Sequence, residues 1–137
     1  MTHASIATLP ESIGQLHALR VLRLSRCASL TSLPAALCAL AALVYLELNE
    51  CIGLRKLPED FGSLPALVAF DFPGCEELAD VLYDDPVVDA LEGRGCGLFG
   101  PGIEIETPKY AQAKRDFAEA DVERKERLAA LRAREGA

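Results

Sequence analysis

The phrase LRVLRLSRCASLTSLP, Leu19 to Pro34, recurs in outline as LVYLELNECIGLRKLP from Leu43 to Pro58, 24 residues on. Pro10, Pro34 and Pro58 keep that spacing, as do Leu16, Leu40 and Leu64, then Leu19, Leu43 and Leu67. Leu22, Leu46 and Phe70 follow, with Leu24, Leu48 and Phe72 behind them, and Cys27, Cys51 and Cys75 complete the set. A fixed period of this length restricts the chain to stacks of one supersecondary unit. A single unit cannot bury its own leucines, so its neighbours must.

Each unit contains LxxLxLxxC: LRVLRLSRC, LVYLELNEC and LVAFDFPGC. The alternating apolar pair predicts a short strand with its large side chains on one face. After the cysteine come a leucine, an LP corner and a half-helical ESIGQL, AALCAL or EDFGSL. The chain therefore goes out along a strand and returns along a looser convex segment. Successive coils stack at about 4.8 Å as a parallel sheet. The residues between the leucines face the other, concave side: Val21, Arg23 and Ser25; Tyr45, Glu47 and Asn49; Ala69, Asp71 and Pro73. Across coils these form the rows Val21–Tyr45–Ala69 and Arg23–Glu47–Asp71, with Arg26 beside Glu50.

This pattern resembles the leucine-rich repeat family over Ile6 to Leu82, most closely the repeats of plant and algal intracellular proteins, nucleotide-binding immune receptors among them. The resemblance implies a short α/β solenoid with parallel strands on the concave face and a helical or irregular convex side. It also implies that Cys27, Cys51 and Cys75 bond to backbone carbonyls in the turn. A thiol is a weak donor, and a buried ladder of thiols is expected to be structural rather than a redox switch. No nucleotide-binding or TIR-like segment accompanies the repeats, so receptor signalling does not carry over.

The expected organisation is repeats over 1–82, a degenerate repeat or Gly-rich cap over 83–106, and a charged C-terminal helix over 107–137. The register fails after Val81: Arg94 falls where Leu22 and Phe70 sit, and Gly102 where a core leucine belongs. The stretch VLYDDPVVDALEGRGCGLFGPG predicts a terminal cap or a collapsed fourth coil, with Ile103 to Glu106 as one last short strand. Gly95, Gly97 and Gly100 spell GxGxxG, but Pro101 and Gly102 follow at once and forbid the helix that a dinucleotide site needs. They are expected to be turn residues. At the other end His3 takes the cysteine position, leaving the Leu19–Leu24 strand with a free edge for a partner or neighbouring segment.

Thr107 with Pro108 predicts a helix start, and Gly136 its end. Asp121 with Lys125 and Glu123 with Arg127 are favourable pairs four residues apart. Tyr110, Ala113, Phe117, Ala120, Leu128 and Leu131 fall on one stripe, interrupted by Arg124. Such a helix is either solvated, with its first turns on the cap, or a docking helix for another protein.

Charge divides the chain. Residues 1–108 carry 6 Lys/Arg against 15 Asp/Glu, a net −9, while residues 109–137 carry 8 against 6, a net +2. An acidic body argues against nucleic acid. Five cysteines with no CxxC spacing and no secretory signal argue against a disulfide framework or zinc site and for an intracellular, cytoplasmic setting. No apolar run approaches the ~20 residues of a membrane span. His3 and His17 supply no converging base for a nucleophile, so neither an enzyme, a cofactor nor a small-molecule substrate is expected. The sequence instead predicts a protein–protein interaction module, a subunit or adaptor of a larger assembly. The candidate contact residues are Val21, Arg23, Arg26, Tyr45, Glu47, Asn49, Asp71, Tyr110, Phe117, Leu128 and Leu131. The alternative is a ligand-sensing or regulatory fragment of a larger receptor-like protein.

Overall fold

The structure, a computed structural model, describes residues 8–117. Five strands lie side by side in chain order: β1 (Val21–Ser25), β2 (Tyr45–Asn49), β3 (Ala69–Asp71), β4 (Gly97–Gly100) and β5 (Ile103–Ile105). The first four run parallel, and β5 turns back antiparallel onto β4. Short 3-10 helices at Glu11–Gln15, Ala35–Ala39 and Phe61–Ser63 precede the first three strands. Two of them start where Pro10 and Pro34 hold φ at −70° and −73°, the value the proline ring imposes. Between β3 and β4 the chain forms α1 (Glu76–Leu82) and α2 (Pro86–Gly93), and α3 covers 108–117. The protein is a mixed α/β fold around a mainly parallel sheet.

The 24-residue period is the register of that sheet. Val21, Leu22 and Arg23 lie opposite Tyr45, Leu46 and Glu47, which lie opposite Ala69, Phe70 and Asp71. Leu24, Leu46, Leu48, Phe70 and Phe72 point into a common core with Leu30, Leu37, Leu40, Leu43, Leu54 and Leu64. Leu22, on the edge strand, is only half-buried. The three repeat cysteines are fully buried and unpaired as thiols. Cys51 Sγ donates to the Leu24 carbonyl at 3.8 Å, and Cys75 Sγ to the Leu48 carbonyl at 3.2 Å. These two thiols thus tie their coils to the strand of the coil before, while Cys27 Sγ donates within its own coil to the Ser25 carbonyl at 3.6 Å.

The fourth coil is longer, not collapsed. Gly97, Leu98 and Phe99 lie opposite Ala69, Phe70 and Asp71, 28 residues on rather than 24. Two α-helices replace the single 3-10 turn and consume the extra four residues, so Leu98, not Arg94, takes the place of Phe70. Arg94 instead donates both guanidinium ends to the Gly62 and Leu64 carbonyls, backbone groups around the end of the Phe61–Ser63 helix that its own bonds leave open. The expected last strand is present as β5. Leu82, Leu91, Cys96, Leu98 and Ile103 pack in the same core as the repeat leucines, so the boundary placed after residue 82 does not divide the interior.

The GxGxxG glycines serve two different needs. Gly95 does adopt positive φ, at 88°. Gly97 and Gly100 do not serve turns: they sit in β4 because large rings occupy the space a side chain would need. A Cβ on Gly100 would meet the Phe72 ring at 2.1 Å, and one on Gly97 the Tyr110 ring at 2.4 Å.

Replacing Leu46 by alanine empties a fully enclosed site and is expected to cost about 2–5 kcal/mol. Gly100→Ala, by overpacking against Phe72, is expected to cost about 1–3 kcal/mol. Urea unfolding followed by circular dichroism measures both, and a neutral Gly100→Ala would contradict the close approach of β4 to Phe72. Thiol chemistry offers an independent check. Burial pushes the Cys96 thiol up to about 12 and raises that of Cys27, while Cys75 is raised first by the Cys51 thiol beside it and then by burial. The Cys51 thiol, by contrast, is lowered to about 6 by its bond with Cys75, so burial and not acidity decides access. A thiol-specific disulfide reagent at pH 8 should label the native chain at Cys38, the half-buried one, and label the four fully buried thiols only on unfolding.

Candidate functional site

The face of the sheet turned away from the core, assigned by the sequence to the concave side, is not open along its first row. That row runs Val21, Tyr45, Ala69, Gly97 from β1 to β4. Past Tyr45 its side chains shrink to a methyl and then to nothing, leaving a trough, and α3 lies in it. Thr107 sets the start of the helix: its hydroxyl accepts the Tyr110 amide at 3.1 Å and donates to the Gly95 carbonyl at 2.5 Å, the expected N-cap with an added tie to the body.

From there the contacts walk across the strands. Tyr110 packs on Gly97, Ala113 joins Tyr45 and Ala69 in a second apolar cluster, and Phe117 meets the Tyr45 ring edge-on at 6.0 Å. Arg20, just before β1, stands 5.5 Å from the Phe117 ring centroid. Ten helical residues reach about 15 Å at 1.5 Å each, and three strand gaps of ~4.8 Å make about 14 Å. The helix is thus long enough to cross four strands.

At the centre is Asp71, the one buried charged side chain among the described residues, at 3% exposure. Its Oδ1 accepts the Tyr110 hydroxyl at 2.7 Å, and its Oδ2 accepts the Tyr45 hydroxyl at 2.7 Å and the Lys114 ammonium at 2.5 Å. Lys114 Nζ also donates to the Tyr45 hydroxyl at 2.6 Å and lies 4.9 Å from that ring's centroid. A carboxylate withdrawn from water needs such compensation, and two of its three donors, Tyr110 and Lys114, arrive on α3. Burial first, then donation to Asp71, raises the ionisation of both tyrosines above the usual phenol range.

Of the candidate contact residues, Val21, Tyr45, Asp71, Tyr110 and Phe117 converge on this internal contact instead of facing outward. The expectation of an open first row is therefore corrected; the first turn does pack on the 83–106 cap, at Gly95 and Gly97, and Ala113 and Phe117 carry the helix on to Ala69 and Tyr45. The second row stays partly open, with Arg23 pairing Glu47 at 3.5 Å and stacking over Tyr45 at 5.5 Å. Arg26 and Glu50 pair at 3.3 Å on the exposed turn that follows. There Arg26 and Glu50 take positive φ of 55° and 54° at the position Gly74 fills in the next coil. Asn49 is half-buried at the end of β2. Leu128, Leu131 and the two expected helix ion pairs lie outside the described residues. The sequence expectations missed Lys114 as a ligand of Asp71 and Phe99 on the second row. Ala69 was the available signal, a small residue beside Tyr45 in the row.

Among the described residues no group of three or more His, Cys, Asp or Glu could hold a metal ion, and no helix is long and apolar enough to cross a membrane. Compared with known proteins, the chain matches no family model and no curated protein sequence.

The raised phenols give a pH test. An unfolded tyrosine ionises near 10, whereas folded Tyr45 and Tyr110 keep their protons beyond that. Stability from these two groups is complete below pH ~10 and is lost as pH rises from there toward the folded values, because the folded state then holds more protons. Phenolate absorbance at 295 nm should accordingly reach no more than one tyrosine's worth at pH 11 in the folded chain. It should rise to the full three only with unfolding; three tyrosines ionising together near 10 would contradict the Asp71 cluster.

Proposed function

We propose that this chain is a non-catalytic protein–protein interaction module, its parallel coils being leucine-rich repeats of a short solenoid, and that it serves as a subunit or adaptor of a larger cytoplasmic assembly. The supporting observation is the sheet's outer face. It is a rigid surface already shaped to hold a helix by an aromatic, a small-residue trough and a charged anchor, the elements that protein interfaces concentrate. The second row and its turn, with Arg23, Glu47, Arg26 and Asn49, offer a mixed-charge rim beside it. Rim charges tune encounter and partner choice more than affinity, so the anchor points of a partner are expected at the aromatic row.

A second possibility, a ligand-sensing or regulatory piece of a larger receptor-like protein, draws on β1. Its outer edge pairs with no strand among the described residues, where a further in-register coil would continue the sheet. Coding sequence upstream that adds 24-residue coils in frame favours this alternative.

The test uses the full chain purified with its associated proteins from its native cells. A partner at a fixed stoichiometry is expected, and the double substitution Arg26→Glu with Asn49→Arg should slow its association at least tenfold at low salt, at an unchanged melting temperature. Absence of any stoichiometric partner would overturn the proposal.

A further inference from the structure

The trough and α3 together specify what kind of partner the face can hold. Four α3 side chains make the contact at positions i, i+3, i+4 and i+7: Tyr110 over Gly97, Ala113 over Ala69 and Tyr45, Lys114 on Asp71, and Phe117 against Tyr45. This is the spacing by which an amphipathic helix fills a groove. The apolar cluster so formed is separate from the main core. It contains Tyr45, Ala69 and Ala113 with Val21, Val44, Val68, Tyr110 and Phe117, none of which belongs to the cluster built by the repeat leucines. Lifting α3 would leave the leucine core closed and Asp71 still bonded to the Tyr45 hydroxyl at 2.7 Å. The contact is therefore built as a binding event between a finished surface and a short helix.

We propose that the outer face of the sheet is a helix-binding groove in which α3 sits as a resident, tethered ligand. The partner it receives is an amphipathic helix carrying the same code: an aromatic residue, a small residue three on, a lysine four on and an aromatic seven on. The inference rests on the interaction-module proposal and names its partner class. Tethering decides the competition. Two residues, Glu106 and Thr107, join β5 to α3, so α3 is present at an effective concentration on the order of millimolar. An identical helix offered in trans at micromolar concentration loses to it, unless the partner binds better or the resident contact is weakened.

The experiment compares the wild-type full chain with the Lys114→Ala, Phe117→Ala double variant. The probe is a fluorescein-labelled peptide of residues 107–137, read by fluorescence anisotropy. The double variant should bind the peptide at least tenfold more tightly than wild type, and a peptide itself carrying Lys114→Ala should lose at least tenfold. Equal binding by the two chains, including none by either, overturns the inference. Should the double variant fail to fold, native hydrogen exchange on the wild-type chain decides. Amides of residues 112–117 exchanging at least tenfold faster than those of β2 and β3 support a helix that opens by itself; equal protection overturns it. Peptide binding in the absence of any cellular partner would leave the groove standing and sink the interaction-module proposal alone. A cellular partner with no peptide binding would do the reverse.

Discussion

Everything in this molecule depends on lateral contact between coils. A strand of three to five residues with two inward leucines has too little apolar surface to offset the entropy of ordering it. Stacked at the spacing of a parallel sheet, the same leucines become a continuous interior, closed at one end by β5. The buried thiols of Cys51 and Cys75 reinforce the stack only weakly, each donating to a carbonyl of the preceding strand. Their small size matters as much as their bonds, because the turn they occupy has no exposure to spare. A surface generated this way is rigid, since each side chain on its outer face is held in register by a core residue on either side of it.

Much of the fold was legible for this reason. A side chain that must interlock with its counterpart in the next coil cannot drift in sequence, so Leu22, Leu46 and Phe70 announce their register. The signal failed where that demand relaxed. Once α1 and α2 replaced a 3-10 turn, the count between strands became free to change. Leu98 then arrived four residues later than the period predicts. With the fourth strand misplaced, Gly97 could not be seen as the end of the row Val21, Tyr45, Ala69, and its meaning as the floor of a trough was hidden.

The site was less legible than the fold because it depends on two distant segments meeting. The stripe of Tyr110, Ala113 and Phe117 was visible in the tail, and Tyr45 and Asp71 on the sheet, but nothing in either pattern says that they belong to each other. What joins them is a matching of lengths, α3 crossing the strands that it covers, and a matching of charge. The helix that covers Asp71 also brings the Tyr110 hydroxyl and the Lys114 ammonium that compensate its burial. An acidic residue in a strand reads as solvent-facing until its cover is known. The same contact covers a row that the alternation of the strands reads as open.

The most direct measurement is a solution NMR experiment on the full chain, looking for through-space contacts between the Ala113 methyl and the Tyr45 ring, and between the Phe117 ring and the Val21 methyls. Both contacts are expected at neutral pH alongside helical chemical shifts for residues 108–117. Helical shifts without either contact would mean that the helix forms but stands off the sheet, and the account of a self-occupied face would be wrong.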